Sequence, residues 1–560
     1  MKFMKIGARP DTFYTEDGTR VISSDMPSDL TIKINNITYH LHKYPLLQKC
    51  GLLQRLISNT EDSDNVTLEL HDTPGGEEAL EICAKFCYGM TINVSAHNFV
   101  PVFCAAKFLR MTEAFEKGNL AVKLEAFLAS CVLGGWKDSI LALQTTEKLA
   151  DWAENVGVTR KCIDSIVEKI LTPPAKVRWS YTCSRHGFDK KQVKSAPRDW
   201  WTEDLAVLGI DLFRCIVTTV RSSGSLPPQL IGEALHVYAG RWLPNTRKSK
   251  LPSIGGIDRK RNILETIVSM IPSDGDSVSL RFLLKLLSAA NYLGASMVAK
   301  AELIRRSGER LHEARVNDLL LPPSQAGDET GSGFDVELVG VVLESFLRQW
   351  KRQAAGEEKE SAMRKVGKLM DCYVQVVARD DPKMAVEKLV SLASAVPDVA
   401  RPLHDELYQA VNIYLKVHPN LSKADRKLLC RILDCRKLSP EVCAHAVRNE
   451  RLPLRTVVQV LYFEQERGAA RTTTPIQLST PKGDFNGLGN KLKLDSDDQR
   501  PQKATDENQR RRRRTVVHDD EELQYNCTRL DVSGSVSTKG REIGEEKEIR
   551  GSTNKKTLPR

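Results

Sequence analysis

Apolar and polar residues alternate over Leu30-Thr31-Ile32-Lys33-Ile34 and again over Ile37-Thr38-Tyr39-His40-Leu41, with Asn35-Asn36 between the two runs. A period of two closed by a turn-forming pair predicts a β-hairpin with one buried face. After Pro45 the spacing turns helical, with Leu46, Leu47, Leu52, Leu53, Leu56 and Ile57 available for one face, and a short strand-like run, Val66 to Leu70, leads to Pro74-Gly75-Gly76. From Ala79 to Tyr88 and from Phe99 to Met111 apolar residues recur at three- and four-residue steps, which predicts buried amphipathic helices. The first 125 residues therefore predict an α+β domain.

Beyond Lys123 the strand pattern gives way to helical periods over Leu124 to Leu133, Ser139 to Ala153 and Arg160 to Leu171, the last closed by Pro173-Pro174. A basic stretch from Arg178 to Arg198 reads as a connector that Trp179 and Tyr181 could pin. Trp201, Leu205, Leu208 and Leu212 then share one helical stripe, so the Trp200-Trp201 pair is expected to anchor a core. Helical periods continue over Pro228 to Trp242, Lys260 to Ile271, Val278 to Tyr292, Met297 to Leu311 and Phe334 to Gln353, predicting a mainly α-helical, layered or solenoid-like body. The Pro, Gly and Ser content of 322–333 predicts a mobile loop, and from Arg467 onward apolar residues thin out until no periodic stripe persists, predicting a largely disordered tail.

Composition narrows the class of protein. At 560 residues the chain has room for three or four domains of about 150 residues. Its 82 Lys and Arg against 72 Asp and Glu leave a net charge of +10, too diffuse an excess to predict a nucleic-acid partner. Thirteen cysteines, an odd number scattered along the chain, predict reduced thiols and a cytoplasmic setting. No apolar run is long enough to span a bilayer, and Met1 to Pro10 lacks the apolar core of a signal peptide.

Four blocks resemble the successive landmarks of a BTB/POZ domain: Asp29-Leu30-Thr31-Ile32, His42-Lys43-Tyr44-Pro45-Leu46-Leu47, Phe86-Cys87-Tyr88-Gly89 and Ala105-Ala106-Lys107-Phe108-Leu109. In that frame the hairpin aims His42 back under the first helix, and Gly89 ends a helix in a left-handed cap. Further along, Trp200-Trp201 with Glu203-Asp204-Leu205, Leu230 to Leu235, Arg261 to Pro272, Ala289 to Gly294, Met370 to Tyr373 and the tract Val396 to Glu466 resemble the plant non-phototropic hypocotyl 3 / root phototropism 2-like family. The resemblance divides the chain into a lead segment (1–25), a BTB/POZ domain (26–125), a helical linker region (126–196), the family's all-α domain (197–467) and the tail (468–560).

Candidate chemistry is sparse. There is no Gly-x-Ser-x-Gly elbow, phosphate-binding loop or His-Glu-x-x-His, and Gly487-Leu488-Gly489-Asn490-Lys491 follows no strand, so neither an enzyme nor a bound cofactor is expected. Cys430, Cys435, Cys443 and His445 are chemically suited to zinc, but their spacing departs from the paired ligands of structural sites, and buried core thiols are the favoured reading. Cys83 and Cys87, one helical turn apart, are likewise expected in the core. Arg401, Asp405 and Tyr408 have the spacing of a tyrosine-phosphorylation consensus, while Leu407, Val411, Tyr414 and Leu415 form a stripe that would pack Tyr408 instead. Arg510, Arg511, Arg512, Arg513 and Arg514 are an unbroken basic run before Thr515 and the acidic Asp519 to Glu522. The run is a solvated block, a patch for anionic lipid or a nuclear import signal, and phosphorylation of Thr515 would weaken lipid contact.

The resemblance implies a non-catalytic adaptor whose BTB domain forms homo- or heterodimers and docks on cullin-3, while the helical body selects a client for ubiquitin transfer in phototropic or auxin signalling. Phe3 to Ile6 and the hairpin are expected at the dimer interface. The cullin contact aligns with His97, Asn98 and Phe99, where the acid of the usual hydrophobic-x-acidic motif is absent. A plasma-membrane scaffold holding photoreceptor kinases or auxin-transport regulators without ubiquitin chemistry is the alternative, and a nuclear co-regulator using Arg510 to Arg514 for import is a third.

Overall fold

The computed structural model describes residues 2–472 except 17, 60–64, 185–194, 245–253, 324–332, 353 and 355. The expected mobile loop at 322–333 lies mostly outside these residues, as does the tail beyond 472.

The predicted hairpin is β4 (Leu30–Ile34) and β5 (Ile37–Leu41), formed after β1 (Phe3–Ile6), β2 (Phe13–Glu16) and β3 (Thr19–Ile22), and followed by β6 (Val66–Glu69) and β7 (Ile92–Ser95). Its turn holds Asn35 at a positive φ of 49°, which a short polar side chain tolerates. Leu30, Ile32 and Ile34 enter the core with Tyr39 and Leu41, as the alternation requires. The five-stranded sheet runs β2-β3-β5-β4-β6, with β3 parallel to β5 and β6 parallel to β4. Residues 1–25 are therefore not a separate lead. β2 and β3 extend the sheet, and β1 pairs antiparallel with β7, setting Phe3 opposite Ser95 and Ile6 opposite Ile92. The register of β1 is set by a strand almost ninety residues away, a relation that no local pattern records.

Helices α1 (Lys43–Leu47), α2 (Gly51–Ser58), α3 (Gly76–Cys87) and α4 (Phe99–Phe108) complete this first module. Helix α4 is apolar nearly all round, and Phe99, Val100, Val102, Phe103, Cys104, Ala105 and Ala106 are all buried, so it forms the module's centre. Among the described residues, every element after Ser95 is helical. The helix Leu120–Phe127 widens into a π turn through Val132, and the helical span expected over 139–153 is two helices, Trp136–Thr146 and Ala150–Asn155, joined by a tight 3-10 turn.

The stripe expected from Trp201 to Leu212 is likewise broken, into helices Thr202–Leu205 and Ile210–Ser222. Gly209 stands at the break. Its N–H donates to Glu147 Oε1 at 2.8 Å, and a Cβ there would lie 2.4 Å from the same oxygen. Leu212 is consequently only half-buried, and Phe213 takes the core position. The helix Pro228–Trp242 keeps its expected bounds, proline at its first position needing no hydrogen bond. Trp200 and Trp201 are buried, and Trp179 and Tyr181 meet Trp200 edge-on at 5.6 and 5.8 Å between ring centres, so the connector is pinned where the aromatic residues allow.

Candidate interaction surfaces

Asp29, His42, Tyr88 and Gly89 converge on one joint of the first module. Asp29, leading into β4, accepts the Lys43 N–H at 2.7 Å, so its carboxylate caps α1, whose own preceding residue supplies no side-chain cap. His42 ends β5. Its Nε2 meets the Met26 carbonyl at 3.1 Å and therefore donates, leaving Nδ1 to accept from the Tyr88 hydroxyl at 3.1 Å. That hydroxyl in turn accepts the His42 backbone N–H at 2.7 Å, and burial pushes the Tyr88 phenol well above its ordinary pKa. Gly89, at φ 70°, closes α3: the Met90 N–H reaches back to Lys85 and the Gly89 N–H to Phe86. The Gly89 carbonyl accepts from Ala8 and Arg9, tying the chain's start to the same joint.

These four residues are architectural, since they lock strand, helix and N-terminal segment together. Tyr88→Phe strands both His42 groups and is expected to cost about 1–3 kcal/mol. Chemical denaturation checks this, and an unchanged midpoint would show that the joint carries no stability.

Apolar side chains remain exposed around the joint. Met26 and Tyr44, on either side of His42, are 69% and 73% exposed, and Phe3 on β1 is 70% exposed. Large apolar groups left in water beside an ordered polar joint mark a face suited to a partner. Of the three residues aligned with a cullin contact, only His97 is open to solvent. Asn98 turns inward, its Oδ1 accepting the Ser95 N–H at 2.8 Å and its Nδ2 donating to Asn93. Phe99 is fully buried, stacked on Phe103 at 5.4 Å and tilted against Phe127, so it offers a partner no surface.

The tyrosine consensus in the helical body is consumed internally. Arg401 does not face Asp405 but forks onto Asp371, with Nε to Oδ1 at 2.9 Å and Nη2 to Oδ1 at 2.6 Å, and donates Nη1 to the Ala393 carbonyl. Burial raises the Asp371 carboxyl against the opposing pull of the guanidinium. Asp405 accepts the Ser439 N–H. Tyr408 has no exposed surface, and its hydroxyl meets His445 Nδ1 at 2.6 Å and Asn449 Nδ2 at 3.2 Å. A kinase cannot reach that oxygen in the folded domain, so Tyr408 belongs to the core.

Cys430, Cys435 and Cys443 are buried, the first two with thiols pushed up to about 11 by burial, and His445 is engaged by Tyr408. Among the described residues no group of three or more His, Cys, Asp or Glu could hold a metal ion. Cys83 and Cys87 are also core thiols, and Cys87 Sγ lies 3.6 Å from Cys50 Sγ. Among the described residues no helix is long and apolar enough to cross a membrane. Arg510 to Arg514 and Thr515 lie outside the described residues.

A sheet and helix module locked at the His42 joint, followed by a long helical body, defines the class: a BTB/POZ protein carrying a second, all-helical domain. A BTB/POZ domain model matches residues 22–123 and an NPH3 family model residues 199–443. An Arabidopsis thaliana BTB/POZ domain-containing protein is 55% identical over 481 residues, covering 84% of this chain and 86% of the relative. Two further relatives from that plant are the phototropic-responsive NPH3 family protein NPY2, 38% identical over 519 residues (88% of this chain, 80% of the relative), and Root phototropism protein 3, 34% identical over 600 residues (86% and 80%). No solved structure matches the chain. The chain belongs to the NPH3 family of plant BTB/POZ proteins.

Proposed function

We propose that this protein is a non-catalytic adaptor that dimerises through its BTB domain, docks on cullin-3 and presents a client, held by the helical body, for ubiquitin transfer. The observation that carries the reading is the exposure of Met26 and Tyr44 on either side of the His42 joint. A second copy of the chain would cover these side chains and leave His97 free for the scaffold. Burying apolar area of that kind drives obligate and transient association alike, at roughly 25 cal/mol per Å². Phe3 extends the apolar surface along β1. The names of two relatives refer to phototropic response and root phototropism, which favours a client in light-directed growth.

The test is the mass of the full chain in solution, run with a pull-down against cullin-3. A dimer that retains cullin, and becomes a monomer in Met26→Asp/Tyr44→Asp, is the expected result. A dimer that ignores cullin would sink the ubiquitin role and favour the scaffold. For location we propose the cytoplasm, with peripheral contact at the plasma membrane through Arg510 to Arg514. Replacing the five arginines by alanine should release a fluorescent full-length copy from the membrane, and an unchanged distribution would remove the tract from the proposal.

A further inference from the structure

A cleft of about 620 Å³ opens near the end of the helical body, between the end of the helix Asp405–Val417, the start of Lys423–Cys430 and the turn after Pro440–Val447. Its wall carries Lys416, Arg426, Arg448 and Arg451, against one carboxylate, Glu450. Other basic side chains on the surface do pair with acids, as in Arg305 with Glu302 and Arg160 with Asp164. In this cleft Lys416, Arg448 and Arg451 have no acidic partner among the described residues, and Arg426 spends one N–H on the Pro419 carbonyl.

A buried polar network sets the remaining donor. The Tyr408 hydroxyl accepts from Asn449 Nδ2, and Asn449 is fixed further by Asn412 Oδ1 and by the Arg451 N–H that its own Oδ1 accepts. Among the described residues the hydroxyl proton has no acceptor other than His445 Nδ1, so the hydroxyl donates to that nitrogen while accepting from Asn449. The ring proton therefore sits on Nε2, and the solvent-exposed His445 ring lines the cleft. Tyr408, which is buried and closed to kinases, thus acts as the residue that orients a surface histidine.

We infer that this cleft is a binding site for a phosphoryl group on a partner protein, a phosphoserine or phosphothreonine held by Arg448, Arg451 and Lys416 with His445 Nε2–H as an added donor. Several unneutralised cations plus a positioned N–H exceed what one carboxylate can satisfy. They match a dianion with three acceptor oxygens, which guanidinium forks recognise in pairs. The site deepens the adaptor reading by making client choice depend on phosphorylation, but it stands without cullin, because no part of the test below involves the ligase.

The test is calorimetric titration of the full chain with an unstructured Gly/Ser peptide carrying one phosphothreonine, and with its unphosphorylated twin. The phosphorylated peptide should bind at least about tenfold more tightly. Arg448→Glu/Arg451→Glu should abolish that preference, and Lys416→Glu should weaken it independently, so that misfolding of one variant does not decide the outcome. A control of equal charge change at distant exposed positions, Lys176→Glu/Arg221→Glu, should leave binding intact. Equal loss in the control would reduce the effect to net charge and overturn the site. Binding to vesicles containing phosphoinositide, without any preference for the phosphopeptide, would identify the anion source as a membrane and equally overturn the proposal.

Discussion

Arg401→Ala is expected to destabilise the helical body by about 3–5 kcal/mol, because it leaves a buried carboxylate without its counter-charge. Asp371 is 3% exposed and Arg401 5%, so water does not replace the lost partner. The deficit should depend on pH in a definite direction. Burial already raises the Asp371 carboxyl, and without Arg401 nothing adjacent opposes that rise. A folded-state value above the unfolded one means that the penalty is absent while both states are protonated, below about pH 3, and still small near pH 4. It grows as pH rises through the unfolded value and levels off above the raised folded value. Urea denaturation at pH 4 and pH 7 reads this, and a deficit equal at both would refute the account. Replacing both partners, Arg401→Met with Asp371→Leu, should recover most of the stability, since an apolar pair of similar volume carries no desolvation cost.

Trp200→Ala should cost a comparable amount, about 3–5 kcal/mol, and release the connector ahead of it. The Trp200 ring meets Trp136 at 4.6 Å and receives Trp179 and Tyr181 on its other edges. Asp204 completes the arrangement: its Oδ2 accepts from Trp136 Nε1 at 2.7 Å and from the Thr182 N–H at 3.0 Å. Removing the central ring empties a site that three aromatic side chains share, and the segment from Arg178 to Thr182 loses its anchor. Limited trypsin digestion should then cut at Lys176 or Arg178 well before the remaining body, whereas the parent chain resists. A Trp200→Ala chain with the parent's cleavage pattern and denaturation midpoint would show that the connector is held elsewhere. Trp200→Phe, which keeps a ring, should fall between the two.

The periodic parts of this protein were legible in advance. The hairpin over Leu30 to Leu41, the left-handed cap at Gly89 and the helix Pro228–Trp242 lie where alternation, glycine and proline place them. The blocks around Trp200, from Met370 to Tyr373 and from Val396 to Glu466 were among those that carried the family resemblance. What periodicity did not reveal was pairing. The consensus spacing of Arg401, Asp405 and Tyr408 suggested one motif, yet their partners are Asp371, Ser439 and His445, each at least thirty residues away. Phe99 aligned with a contact motif but lies at the centre of α4's core. The signal that could have found the basic cleft, Lys416 with Arg448 and Arg451, is divided in the sequence between the end of one helix and the turn after another.

The sequence by itself determined which faces are apolar, where helices and strands can start and stop, and which family the chain resembles, because these depend on a residue and its near neighbours. Tertiary structure decided the rest. It paired β1 with β7, broke the helix at Gly209 against Glu147, spent Arg401 on Asp371, and turned Tyr408 into the orienting partner of His445. The physical reason is that burial is additive along a local period. A hydrogen bond or ion pair requires two specific groups within about 3 Å, and only the folded chain determines which distant residues meet that condition.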